Sequence, residues 1–177
     1  MRTIDRDTSA LLVVDFQARL MPAIEGGADA VANARRLLAA ASLMDVPATF
    51  TEQYTRGLGA TVAELDAGAH GPVLHKMTFD ACRASGAGQL TSRPDVVVAG
   101  CEAHVCVLQT VLGLLDAGQR VYVVRDAVGA RRAESKETAL RRMERHGAEI
   151  VTTEMVVFEW LQTAEHPRFR EAVALIK

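Results

Sequence analysis

The chain has 177 residues, of which 49% are hydrophobic and 24% are charged, and its formal net charge at pH 7 is −2. This length and composition are typical of a globular protein, and we expect residues 1–177 to form a single domain. The near-balanced charge argues against nucleic acid as a partner, because phosphate binding requires an excess of Lys and Arg. No secretory leader and no apolar stretch of membrane-spanning length is evident, so we expect a cytoplasmic protein without a membrane partner.

Short apolar runs alternate with longer amphipathic stretches along the chain. Strands are predicted at residues 10–14, 47–51, 72–75, 95–100, 120–124 and 148–151. Helices are predicted at residues 30–44, 104–118 and 133–146, and from about Glu154 onward with Thr153 as its N-cap. This alternation predicts an α/β fold with a parallel sheet and helices on both faces. Residues 52–71 and 77–94 have no clear pattern, and loops of that length are usually functional or mobile.

Three cysteines, at positions 82, 101 and 106, are an odd number that does not indicate a disulfide framework. Cys82 and Cys101 are interpreted as packing residues. Cys106 comes near the start of the helix after the fourth strand, where free N–H groups and the helix dipole favour a thiolate. The alternative for Cys106 is a small apolar side chain in the core.

An acidic and a basic side chain are expected beside this thiol. Asp15 follows the first predicted strand and Lys76 follows the third, and ligands of open parallel sheets bind beyond the carboxyl ends of the strands. Asp15 could accept the thiol proton if it lies near Cys106, although it could also merely cap a turn, and Lys76 could be a surface residue. His104 is two residues from Cys106, a spacing that places them on different faces of a helix, so Asp15 is preferred as the base.

These positions lie within longer sequence motifs that are similar to those of a known protein family. They are LVVDFQ at residues 12–17, Lys76, GCEAHVCV at residues 100–107 and TEQY with GLG within residues 51–59. Together they resemble the isochorismatase-like cysteine hydrolases, a superfamily that includes nicotinamidases and N-carbamoylsarcosine amidases. The likeness is greatest to small isochorismatase-domain-containing hydrolases of unassigned substrate.

The resemblance implies a six-stranded parallel sheet with a Rossmann-like strand order, in which the first and fourth strands are neighbours. It implies a catalytic triad of Asp15, Lys76 and Cys106. It further implies a non-proline cis peptide bond between Cys101 and Glu102, and an oxyanion hole formed by the N–H groups of Glu102 and Cys106. Members of the family are commonly homo-oligomers, so a homo-oligomer is expected here.

The function that follows is a cysteine hydrolase acting on a C–N bond of a small amide, imide or carbamoyl compound through a Cys106 thioester. Asp15 serves as general base and acid, and Lys76 stabilises the charges. Nicotinamidases place Asp and His metal ligands after the second strand, but residues 51–56 contain no His, so neither a metal nor a cofactor is expected. The alternative is a non-catalytic relative that binds a metabolite or senses oxidants. A dinucleotide-binding domain is disfavoured, because no G-x-G-x-x-G follows the first strand.

The substrate pocket is the least defined part of the site. Candidate lining residues are Phe16, Gln17, Tyr54, Phe79 and His104, and core packing is an equal alternative for Phe16 and Phe79. Polar contacts to a small amide could also come from Glu52 and Gln53.

Overall fold

The computed structural model describes residues 3–177, with the side chain of Thr91 excepted. The described chain contains one six-stranded sheet of β1 (Ser9–Val14), β2 (Ala48–Gln53), β3 (Val73–Lys76), β4 (Asp95–Cys101), β5 (Arg120–Gly129) and β6 (Glu149–Val151). Its helices are α1 (Gly27–Leu43), α2 (Thr55–Leu58), α3 (Ala67–His70), α4 (Leu108–Asp116), α5 (Ala133–Arg145), α6 (Thr153–Leu161) and α7 (Phe169–Leu175).

All strand pairs are parallel, and the order in the sheet is β3-β2-β1-β4-β5-β6. The predicted α/β fold and the adjacency of the first and fourth strands are therefore confirmed. The strand order reverses between β1 and β4, which is where open parallel sheets bind their ligands.

Each face of the sheet is covered by helices, because successive strand residues point to opposite sides. On one face, Phe50 packs with Leu37 of α1 and Trp160 of α6. On the other face, Val98 packs with Leu114 of α4 and Met143 of α5. Residues of β1 and β4 are buried almost throughout, as the continuous apolar runs predict for strands covered on both sides.

The close approach of β1 and β4 depends on a glycine. Gly100 pairs with Val14 and has φ +154°. A Cβ at this position would lie 2.5 Å from both the Cβ and the carbonyl oxygen of Val14, so any larger residue would push the strands apart. Gly100 therefore holds the end of β4, and the residues that follow it, against the end of β1.

Several boundaries differ from the prediction. β5 continues five residues beyond Val124 to Gly129, because after a register shift its backbone resumes pairing with β4. The helix after β4 begins as a π-helical turn, Ala103–Val107, before α4. Within the described residues, no helix has both the length and the apolar character required to cross a bilayer.

The predicted N-cap and the predicted final helix are also corrected. Thr152, not Thr153, caps α6, since its Oγ1 accepts from the N–H of Met155 at 3.3 Å. Thr153 instead donates through its N–H and its hydroxyl to Asp126, at 2.9 and 3.0 Å. The final segment forms two helices, because the chain turns at Gln162, which has φ +62°.

Candidate active site

Asp15 and Lys76 form a buried ion pair at the carboxyl edge of the sheet. Asp15 follows β1 with φ +50°, and Lys76 is the last residue of β3. The Lys76 ammonium donates to Asp15 Oδ2 at 2.6 Å, and both side chains are fully buried. The structure therefore brings the carboxylate of Asp15 and the ammonium of Lys76 into direct contact.

Two residues of β2, the strand between β1 and β3, complete the coordination of this pair. The hydroxyl of Thr51 donates to Asp15 Oδ1 at 2.6 Å. Gln53 Oε1 accepts from the Lys76 ammonium at 2.9 Å, and its amide donates to the carbonyl of Met77 at 2.8 Å. Both carboxylate oxygens of Asp15 are thus held by donors, which fixes the orientation of the carboxylate.

Sequence reasoning missed Thr51 and gave Gln53 a different role. The available signal was their spacing: residues 51 and 53 lie two apart on a strand and therefore share one face. The strand order places that face between Asp15 and Lys76. Gln53 supports the ammonium of Lys76.

Cys106 lies in the π-helical turn after β4 and interacts with both members of the ion pair. Burial of the Cys106 thiol and, to a smaller extent, the charge of Asp15 raise its pKa to about 12, although Lys76 opposes both effects. The thiol is therefore protonated at neutral pH in the resting site. This differs from the thiolate that the helix start favours, because the cost of burying a charged sulfur outweighs the helix dipole.

The other two thiols have different surroundings. Cys101 is fully buried in the core, and burial raises its pKa to about 12. Cys82 is partly buried near Asp80, and burial again raises its pKa to about 12. The peptide bond between Cys101 and Glu102 is cis, at the position that the family resemblance implies.

The side chain of Glu102 is paired with a surface arginine. Its Oε1 accepts from Arg131 Nε at 2.7 Å, and His104 Nε2 lies 3.9 Å from the same oxygen. Nδ1 of His104 is buried and has no hydrogen-bond partner among the described residues. His104 thus borders Glu102, and Arg131 fixes the side chain of the residue that follows the end of β4.

A cavity of about 370 Å³ opens beside Lys76. Its walls are formed by residues after β2 and at the end of β3: Glu52, Tyr54, Thr55, Arg56, His75, Lys76 and Met77. Of the candidate pocket residues, Tyr54 borders this cavity and is half exposed.

The other candidate pocket residues lie elsewhere. Phe16 is fully buried in the core, the alternative that the sequence left open. Gln17 is also fully buried, and its amide donates to the carbonyls of Gln53 and Gly59 at 3.0 and 2.6 Å, so it ties the loop after β2 to β1. Phe79 is half exposed and lines a separate cavity beside α4.

Within residues 3–177, no three side chains of His, Cys, Asp or Glu converge so as to hold a metal ion. Glu52, which occupies the region of the nicotinamidase metal ligands, is paired with Thr61 and His75.

Comparison with known proteins now identifies the family. A family model described as the isochorismatase domain matches residues 9–155. The chain belongs to the isochorismatase family. Isochorismatase domain-containing protein 2 of Danio rerio is 38% identical over 172 residues, covering 95% of this chain and 86% of that protein.

Solved structures of other proteins share the fold. The structure named MAR1 ribonuclease from Caenorhabditis elegans has a TM-score of 0.93 at 36% identity and covers 98% of this chain and 92% of that one. The YcaC protein of Escherichia coli, described as an octameric hydrolase of unknown specificity, has a TM-score of 0.87 at 24% identity, with coverages of 99% and 88%. The latter identity supports a shared fold only.

Proposed function

We propose that the protein is a cysteine hydrolase that cleaves the C–N bond of a small amide, imide or carbamoyl compound through a thioester on Cys106. The observation that carries this proposal is the cluster of Cys106 with the buried Asp15–Lys76 ion pair. A nucleophile, a proton acceptor and a fixed positive charge are the groups that amide cleavage by a thiol requires.

The first step is proton transfer coupled to attack. The protonated thiol of Cys106 gives its proton to the carboxylate of Asp15 as the sulfur forms a bond to the carbonyl carbon. The Lys76 ammonium stabilises the thiolate that develops, since it opposes the rise in the thiol pKa. The electron pair of the carbonyl double bond moves to the oxygen, which becomes an oxyanion.

The oxyanion is received by the N–H groups of Glu102 and Cys106, where the chain passes from β4 into the π-helical turn. The C–N bond then breaks, and Asp15 returns the proton to the leaving nitrogen. In the second half-reaction Asp15 accepts a proton from water as the water oxygen attacks the thioester carbon. The C–S bond breaks to release the acid, and Asp15 gives the proton to the leaving sulfur, which restores the thiol of Cys106.

Neither a metal nor a cofactor takes part in this scheme. The protein acts as a single cytoplasmic domain over residues 1–177, on a small-molecule substrate rather than on nucleic acid or a membrane. We also propose that it assembles into a homo-oligomer, as the octameric YcaC relative does.

Oxidant sensing is the less favoured function for the same thiol. Redox-sensing cysteines are exposed and have a lowered pKa. Cys106 is buried, and its pKa is raised to about 12. Both properties favour a nucleophile that is deprotonated only during the reaction.

A hydrolysis screen tests this proposal. The wild-type protein is incubated with small primary amides, cyclic imides and N-carbamoyl compounds, and release of the amine or ammonia is measured. Cys106→Ala should be inactive with its fold intact, and Cys82→Ala, which changes a thiol outside the cluster, should keep full activity. Turnover by Cys106→Ala at the wild-type rate would contradict the proposal.

A further inference from the structure

Asp15 performs two opposite proton transfers in the proposed reaction, and one residue of β2 contacts it through both main chain and side chain. The N–H of Asp15 donates to the carbonyl of Thr51 at 3.1 Å, and the hydroxyl of Thr51 donates to Asp15 Oδ1 at 2.6 Å. Both residues are 0% exposed. Thr51 therefore holds the backbone of Asp15 where the chain leaves β1, and it holds the carboxylate as well.

The hydroxyl of Thr51 restrains Asp15 in a way that the ammonium of Lys76 alone does not. Lys76 donates to Asp15 Oδ2 at 2.6 Å, and rotation of a carboxylate about its bond to Cβ has only broad energy minima. A second donor at Oδ1 removes this freedom. Because Thr51 is β-branched, rotation of its own side chain is restricted, so β2 sets the position of the hydroxyl.

The hydroxyl also acts on the charges of the site. A hydrogen bond donated to a carboxylate favours its charged form, so Thr51 stabilises the carboxylate of Asp15 and assists the later return of the proton to the leaving nitrogen. The ammonium of Lys76 acts in the same direction. The thiols of Cys101 and Cys106 also interact with Asp15 but are neutral, because burial raises the pKa of each to about 12.

We propose that Thr51 is a positioning residue of the Cys106 site. Its hydroxyl holds the carboxylate of Asp15 in the orientation from which Asp15 takes the proton of the thiol and returns it to the leaving nitrogen. The proposal rests on the proposed function, because it assigns Thr51 a part in both proton transfers. Thr51 acts through Asp15 and needs no contact with the substrate.

Two substitutions separate the hydroxyl of Thr51 from its packing. Thr51→Val keeps the branched shape without the hydroxyl, whereas Thr51→Ser keeps the hydroxyl without the buried methyl. With a substrate from the hydrolysis screen, Thr51→Val should lower kcat about tenfold with little change in KM. The acid limb of its kcat/KM profile should move to higher pH, because the charged form of the base has lost a donor. Thr51→Ser should keep at least about half of the wild-type kcat, although the lost methyl lowers its stability.

Thr49→Val is the matched control for this loss of a hydroxyl. Thr49 lies two residues before Thr51 on β2 and therefore on the same face of the sheet. It pairs with Leu12 within β1 rather than at the carboxyl edge. Removal of its hydroxyl should change neither kcat nor the pH profile.

Alkylation of Cys106 by iodoacetamide tests the role of Thr51 without turnover. The hydroxyl directs the positive end of its dipole at the anionic side of the site, so its removal should make a thiolate beside Asp15 less stable. At pH 8, Cys106 in Thr51→Val should therefore be labelled at least about twofold more slowly than in the wild type, as measured by peptide mass spectrometry. A merely structural role predicts the opposite sign, because looser packing would expose the thiol and accelerate labelling.

The outcomes separate this proposal from the proposed function. A kcat of Thr51→Val within about twofold of the wild type, an equal loss of kcat in Thr51→Ser, or labelling as fast as in the wild type would overturn the role of Thr51, even if Cys106 is confirmed as the nucleophile. If Thr51→Val does not fold, Thr51→Ala takes its place, since it differs from Thr51→Ser only in the hydroxyl. Slower labelling in a protein that hydrolyses no compound of the screen would instead overturn the proposed reaction.

Discussion

Removal of one partner from the Asp15–Lys76 ion pair should destabilise the protein severely. Lys76→Met keeps an unbranched side chain one heavy atom shorter than lysine, but leaves a fully buried carboxylate without its ammonium. At 2.6 Å the attraction is about 6 kcal/mol for an effective dielectric constant of about 20. Part of this is offset by the cost of desolvating both charges, so we expect a loss of about 3–5 kcal/mol in the free energy of unfolding.

Replacing both charges together should cost less than the two single replacements added. In the double variant Asp15→Asn, Lys76→Met no buried charge remains unpaired, and the amide can still accept from the Thr51 hydroxyl. We expect a coupling free energy of at least about 2 kcal/mol. The measurement is urea-induced unfolding followed by far-UV circular dichroism for the four proteins of the cycle.

The matched control is an exposed ion pair of similar length. Arg168 and Glu171 lie 3.1 Å apart with about half of each side chain exposed. A cycle with Arg168→Met and Glu171→Gln should give a coupling below about 0.5 kcal/mol. If the Asp15 and Lys76 replacements are additive to within about 0.5 kcal/mol, the assignment of a tightly coupled buried pair is refuted.

Three further predictions concern thiol reactivity, positioning and pH. Asp15→Asn should be inactive in hydrolysis. Its Cys106 should nevertheless react with iodoacetamide at pH 8 at least about threefold faster than in the wild type, because Asp15 raises the pKa of the thiol. Slower labelling would argue against this electrostatic role of Asp15. Arg131→Met, which frees Glu102, should lower kcat about tenfold with little change in KM, whereas Arg132→Met at a neighbouring exposed position should not. The free energy of unfolding should fall as pH rises from 9 to 12. The thiols keep their protons up to a pKa of about 12 in the folded protein, but lose them near the ordinary value of 9.0 in the unfolded chain. When the free energy of unfolding is measured across this pH range, a variant with Ala at all three cysteines should show a smaller slope.

The strands could be predicted because burial on both faces leaves a direct trace in the sequence, whereas their order followed only from the family resemblance. The run at residues 96–100 is apolar for that reason, and β4 contains it. The extension of β5 to Gly129 leaves no such trace. Arg125 and Asp126 end the apolar run, and the strand continues only because its backbone pairs again with β4 after a register shift.

The central residues of the site were predictable for a topological reason. Asp15 and Lys76 follow strands, and parallel strands deliver their following residues to one edge of the sheet. The contribution of Thr51 depends on which strand lies between those two, which the local pattern does not show. Phe16 and Gln17 were proposed for the pocket because they adjoin Asp15, but the chain turns at Asp15 and buries both.

The protonation of Cys106 illustrates the limit of local reasoning. The sequence locates the thiol near a helix start, which favours a thiolate. Its burial depends on packing between elements distant in the chain, and burial dominates the pKa. The electrostatics of the site therefore follow from the tertiary fold more than from the local motif.

Trapping of the covalent intermediate is the most direct test of the central claim. A compound found in the hydrolysis screen is mixed with the wild-type protein, quenched in acid during turnover and analysed by intact and peptide mass spectrometry. The account predicts a mass increase equal to the acyl group, located on Cys106, reversed by hydroxylamine and absent from Cys106→Ala. Steady turnover with the acyl group on another residue, or undiminished turnover by Cys106→Ala, would contradict it.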